Sequence, residues 1–151
     1  MSVFLPLGAV SKAVRDVLNV RSMTDLAPGG VSDALAKKQE FPFVLYEVLD
    51  DPTDSGIGTK AGVGLLSEVE IRVHAYSTKA GMKEVQAVMS KAIELLTVDD
   101  AMTSALAEAG YRVCGLCPFY DGAVPNNDEV IQGVPCRELV APFRLYVEAM
   151  S

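Results

Sequence analysis

Glu68-Val69-Glu70-Ile71-Arg72-Val73-His74-Ala75-Tyr76, followed after Ser77-Thr78-Lys79-Ala80-Gly81 by the run Met82–Leu96, is where the chain changes hydrophobic period. From Val69 to Ala75 the odd positions are apolar and the even ones polar or amphipathic. That is the pattern of a strand with one buried face. After Gly81 the apolar residues Met82, Val85, Val88, Met89, Ala92, Ile93 and Leu96 recur at helical spacing, which predicts an amphipathic helix over Met82–Leu96. One strand therefore passes its buried side straight to one helix, and the remaining segments are expected to pack against that pair.

Working outward, the spacing predicts a first helix from Pro6 to Asn19, with Leu7, Val10, Val14, Val17 and Leu18 on its apolar stripe. A turn-rich segment ends at Ala27-Pro28-Gly29-Gly30, and Ser32 or Asp33 is positioned to cap a short helical turn through Lys38. Phe43–Leu49 reads as a strand broken only by Glu47, hence covered on both faces. Asp50–Gly64 is expected to be a long polar loop, functional or mobile as such loops usually are. Thr97 and Asp100 propose an acidic capping box for a short helix Val98–Ala109, closed by Gly110. Tyr111–Tyr120 is a third strand, Asp121–Pro135 a second long loop, and Leu139–Val147 a fourth strand. Pro142 marks that last strand as an edge or a bulge, because it has no N–H to give a ladder. The expected fold is α+β: a four-stranded, mostly antiparallel sheet with two main helices on one face, in the order α-β-β-α-(α)-β-β.

At 151 residues the chain is expected to be one domain. Thirteen basic residues against 20 acidic leave a charge of −7, and Lys37-Lys38 is the longest basic run. That disfavours gripping a phosphate backbone, which needs clustered Lys and Arg. No run reaches the roughly 18 apolar residues of a membrane span. The opening Met-Ser-Val-Phe-Leu-Pro lacks a basic n-region, so no signal peptide is expected and the cytosol is the expected site of synthesis. Three cysteines leave one unpaired in any disulfide scheme, as suits a reducing compartment.

Cys114-Gly115-Leu116-Cys117 has the spacing of a redox pair or half a zinc site. It falls in a predicted strand, where positions three apart face opposite ways, so the sulfurs diverge. Cys136 and His74 are single and scattered, and spectator thiols are the expected reading. Gly56–Gly64 contains Thr59-Lys60 in the reverse of the P-loop order and precedes a strand, not a helix, so a flexible loop is expected. His74 has no Ser or Cys partner motif. No catalytic residues, metal ligands or cofactor are expected.

The succession of amphipathic helix, Phe41-Pro42-Phe43-Val44-Leu45-Tyr46-Glu47-Val48, glycine-rich loop, Glu68–Ser77, Gly81, a helix ending Lys91-Ala92-Ile93-Glu94-Leu95-Leu96, Gly110-Tyr111-Arg112-Val113 and Arg137–Val147 resembles the tail terminator, or tail completion, proteins of long-tailed bacteriophages and gene transfer agents. The likeness runs from about Val10 to Val147. Asp99–Gly110 and the Cys-x-x-Cys are departures from that pattern.

The resemblance implies a structural virion protein that assembles as a homo-oligomer, a hexameric ring. The ring caps the tail tube protein, ends tail growth and meets the head-completion or connector protein, with DNA passing through its lumen. Assembly would take place in host cytoplasm. The even positions Glu68, Glu70, Arg72, His74 and Tyr76 form a charged row that no predicted helix covers, a candidate subunit contact. Asp50, Asp51, Asp54, Lys60, Asp121, Asn126, Asn127 and Asp128, in the two long loops, are candidate contacts to tube and head. Other readings are another neck ring component, or a small cytosolic thiol- or ligand-binding domain.

Overall fold

A computed structural model describes residues 7–50, 66–98, 101–118 and 124–149. The fold is α+β, with four helices and a mixed six-stranded sheet among the described residues. In chain order the elements are α1 (Leu7–Leu18), α2 (Arg21–Leu26), β1 (Val31–Ser32), β2 (Phe43–Asp50), β3 (Leu66–Ser77), α3 (Lys83–Thr97), α4 (Ala101–Ala107), β4 (Tyr111–Pro118), β5 (Val124–Ile131) and β6 (Val134–Ala149).

The sheet order is β1-β2-β3-β6-β4, with β5 also paired to β6. Only β1 and β2 run parallel; the other pairs are antiparallel. Strand β3 occupies one edge of β6 from Arg137 to Glu148. The other edge is shared end to end by β5, which pairs Val134–Val140, and β4, which pairs Phe143–Ala149.

The period change at Gly81 governs the core as expected. Val69, Ile71, Val73 and Ala75 of β3 are buried with Leu139, Ala141, Phe143, Leu145 and Val147 of β6. On them lie Val10, Ala13, Val14 and Leu18 of α1, Val85, Val88, Met89, Ala92 and Leu96 of α3, and Met102 and Leu106 of α4. Full burial of each such Val, Leu or Phe side chain contributes roughly 1.5–3 kcal/mol. Gly81 and Gly110 both have positive φ (84° and 88°), conformations that glycine adopts without a Cβ clash.

Several expectations are corrected. The sheet has six strands rather than four, because two segments without apolar alternation are recruited by pairing. One is the two-residue β1, in the stretch where a capped helical turn through Lys38 was expected. The other is β5, within the expected loop Asp121–Pro135. Ile131 and Val134 face each other across Gln132-Gly133, whose φ values of 53° and 80° are those of a two-residue hairpin turn. Strand β6 therefore begins five residues before the predicted Leu139 and is 16 residues long. It is also interior to the sheet, not an edge. Pro142 falls between the stretches paired by β5 and β4, and on that side of the ladder it has no registered partner among the described residues. The turn-rich segment after α1 contains the short helix α2. Thr97 does not cap α4: it ends α3, its hydroxyl donating to the Ile93 carbonyl at 2.7 Å. Asp100 lies outside the described residues.

The strand-to-helix turn carries its own polar lock. Ser77 is fully buried; its hydroxyl donates to Glu84 Oε1 at 2.6 Å and accepts from the Lys79 N–H at 3.2 Å. The Ser77 hydrogen bond, opposed by partial burial and reinforced by Lys79, holds the Glu84 carboxyl below the usual glutamate range. A depressed folded-state pKa contributes stability above the unfolded value, and that stability is lost as pH falls through the folded one. Ser77→Ala should therefore cost about 1 kcal/mol at pH 7 in urea unfolding. The difference from wild type should shrink when the titration is repeated below pH 4, and a gap independent of pH would refute this role for Glu84.

Candidate assembly surface

The sheet face opposite the helices carries the even positions of β3 between β2 and β6. At one end it is apolar: Phe43, Tyr76 and Cys136 are buried together, with Phe41, Leu45 and Ile131 against them. Phe43 and Tyr76, directly opposed across the strands, stack with ring centroids 4.7 Å apart. Burial raises the Tyr76 phenol above its ordinary pKa, and its hydrogen bond to Glu138 adds to the shift. Burial likewise raises the Cys136 thiol, making it a poor nucleophile.

Next along the face, His74 spans three strands. Its Nδ1 is 2.8 Å from Glu138 Oε2 on β6, and its Nε2 is 3.1 Å from Glu47 Oε1 on β2. The second contact is off the line that a hydrogen bond needs, so it is an electrostatic approach only. Glu138 is only 6% exposed and is held by both His74 and Tyr76. Further on, the buried Glu68 lies 2.6 Å from Arg144 Nε and accepts from the Tyr146 hydroxyl at 3.2 Å. Glu70 takes the Arg72 guanidinium, and Arg112 of β4 pairs with Glu148.

The expected row is thus brought onto one face, but its members differ. Glu68 and Tyr76 are buried, Glu70 and His74 are half-buried, and Arg72 is exposed. Their partners on β2 and β6 could not be read from spacing, because cross-strand neighbours depend on register. Glu138 and Arg144 were missed for that reason. The sole available signal was that charged residues alternate with the apolar core positions of β6.

Of the loop candidates, Asp51, Asp54, Lys60 and Asp121 lie outside the described residues. Asp50 ends β2, and Asn126, Asn127 and Asp128 belong to β5 rather than to a loop; only their backbone is described. Pairing is irregular between Asn126 and Glu129, so this part of β5 departs from a regular ladder.

The thiol readings do not converge either. Cys114 occupies the register shift between Val113 and Gly115, exposed, with Sγ 3.8 Å from Glu148 Oε2. Cys136 is buried near the other end of β6. Cys117 is described in backbone alone. Among the described residues no group of His, Cys, Asp and Glu is arranged to hold a metal ion. Nor is any helix among them long and apolar enough to cross a membrane.

Similarity was found at the level of structure. The chain superposes on one in the solved structure titled "Virion of native gene transfer agent (GTA) particle", with a TM-score of 0.60. The match covers 94% of this chain and 96% of that one, at 19% sequence identity. The fold is shared with a gene transfer agent virion chain. No family model matches the sequence, and no curated protein does. At that identity the likeness extends to the path of the backbone, and the face built around His74 is defined by this chain's own residues.

Proposed function

We propose that this protein is a structural virion component of a long-tailed phage or gene transfer agent particle, and specifically its tail terminator. It closes as a hexameric ring on the tail tube, stops tube growth and offers the surface that joins the head, with DNA passing through the lumen. The observation that carries the reading is the near end-to-end match, over 94% of one chain and 96% of the other, to a chain of a gene transfer agent virion. The tail-terminator resemblance of the sequence narrows it. A net charge of −7 suits a passage through which DNA slides without adhering. The work asked of the protein is geometric, and no residue is assigned a catalytic role.

In this reading the β3 row is a subunit contact. Arg72 is its most accessible member, at 46% side-chain exposure. The segments containing Asp50, Asp51, Asp54 and Lys60, and Asp121, Asn126, Asn127 and Asp128, meet the tube and the head-completion protein.

The test is to mix the purified protein with purified tail tubes and image them by electron microscopy. Rings on one tube end support the terminator reading. Bare tubes with rings on filled heads would replace it with a head-completion role. Arg72→Glu should abolish the rings while shifting the melting temperature by no more than about 4 °C, as expected for a surface substitution in a domain this size. Normal rings from that variant would remove the row from the contact.

A further inference from the structure

His74 is the chain's single histidine, and it stands in the middle of the β3 row with Leu45 of β2 and Val140 of β6 directly opposite it in register. The charged and titratable groups around it come from three strands: Glu47 of β2, Glu138 of β6, and Arg72 and Tyr76 of β3 itself. Glu129 of β5 bears on this group only at one remove, through Tyr76 and Cys136.

The two ring nitrogens are not equivalent. Nδ1 meets Glu138 Oε2 at 2.8 Å, and a carboxylate only accepts, so Nδ1 carries the hydrogen between them. In the neutral ring Nε2 then holds a lone pair. That nitrogen is buried, has no hydrogen-bond partner and lies 3.1 Å from Glu47 Oε1. Lone pair and carboxylate are both acceptors, so they repel. A second proton turns Nε2 into a donor toward the same oxygen, and the Glu47 side chain, 41% exposed, has room to come into line with it.

Glu47 has a second cation within reach. It is directly opposite Arg72 in the β2–β3 register, and His74 is its diagonal neighbour. A long side chain spans either separation. Arg72 is held through Nε by Glu70, and its terminal nitrogens have no partner among the described residues. Glu47 therefore stands between two cations, one permanent and one that exists only when the imidazole is protonated.

We propose that the proton on His74 decides which cation holds Glu47, and so whether Arg72 is free to meet a second copy. With the proton, Glu47 stays on Nε2 and the Arg72 terminal nitrogens face outward. Without it, Glu47 turns to Arg72, which is then clamped between Glu47 and Glu70 and neutralised. The switch rests on the reading of the β3 row as a subunit contact and names its regulation. Histidine is the side chain whose charge changes between pH 5 and 8, and protonation at an interface is a local event with an assembly-wide readout.

The test is sedimentation of the full chain at about pH 5.5 and about pH 8. Wild type should self-associate at least about tenfold more tightly at the lower pH. Glu47→Gln, which keeps the shape of a half-exposed side chain and removes its charge, should associate alike at both, because nothing then sequesters Arg72. A second measurement needs no variant. In an NMR titration the imidazole signals are those of His74 alone, and the Arg72 Nε–H signal should move with the same midpoint. Equal association of the wild type at the two pH values, a pH dependence that survives Glu47→Gln, or an Arg72 signal that ignores the imidazole overturns the switch. Copies that associate with this pH dependence yet leave tail tubes bare would sink the terminator role and leave the switch standing. Rings formed on tubes alike at both pH values would do the reverse.

Discussion

His74→Leu is expected to cost about 3–5 kcal/mol in denaturant unfolding at pH 7, among the largest single effects in the molecule. The reason is what it leaves behind. Glu138 is 6% exposed, and its carboxyl depends on the imidazole 2.8 Å away and on the Tyr76 hydroxyl. Removing the ring takes from a desolvated carboxyl the imidazole that faces it, and that penalty is larger than the net worth of the interaction removed. The comparison with a second variant is the decisive measurement. His74→Leu/Glu138→Leu removes both groups, replaces them with apolar volume beside Phe43 and Tyr76, and should recover most of the loss. A double variant as unstable as the sum of the two singles would mean that His74 and Glu138 are not coupled.

Gly29→Ala should lower stability by about 3 kcal/mol, at the upper end for overpacking. A Cβ there would sit 2.0 Å from the Glu40 carbonyl oxygen and 2.8 Å from both the Glu40 carbonyl carbon and Phe43 Cβ. Backbone cannot step aside as a flexible side chain can. The same backbone is tied down by Gly29 N–H to the Pro42 carbonyl at 2.9 Å and by Gln39 Nε2 to the Gly29 carbonyl at 3.1 Å. Loss of this clasp should loosen the start of β2. Gly8→Ala is the control. It lies in the first turn of α1 with nothing within 4 Å of the new Cβ. Helix propensity alone should then raise stability by roughly 0.5 kcal/mol. Equal melting temperatures for the two variants would show that the close approach at Gly29 carries no strain.

The parts of the fold that were legible share a property. Strand β3, helices α1 and α3, and the core half of β6 each repeat an apolar residue at the period of their own structure. The burial of Val69, Ile71, Val73 and Ala75 therefore follows from local spacing alone. Strand β5 was invisible because Val124-Pro125-Asn126-Asn127-Asp128-Glu129-Val130-Ile131 has the composition of a turn. It becomes a strand through pairing with β6 and through a Gln-Gly turn that lacks the usual Asn or Asp signal. Likewise Thr97 looks like a cap, but α3 continues to it because its hydroxyl can turn back to Ile93.

The candidate site divides along the same line. That Glu68, Glu70, Arg72, His74 and Tyr76 share one face was contained in their alternation with the buried positions of β3. Which of them remain accessible was not. Register sets Glu68 against Arg144 and Tyr146, and His74 between Glu47 and Glu138. Those partners lie 64 or more residues away for every contact to β6. Periodicity is a local property of the chain and determines which side of an element is apolar. The pairing of distant strands determines whether a polar group on the other side meets water, a counter-charge or a neighbouring molecule. On that second ground Arg72 became the exposed member of the row, while Glu68 and Tyr76 were buried.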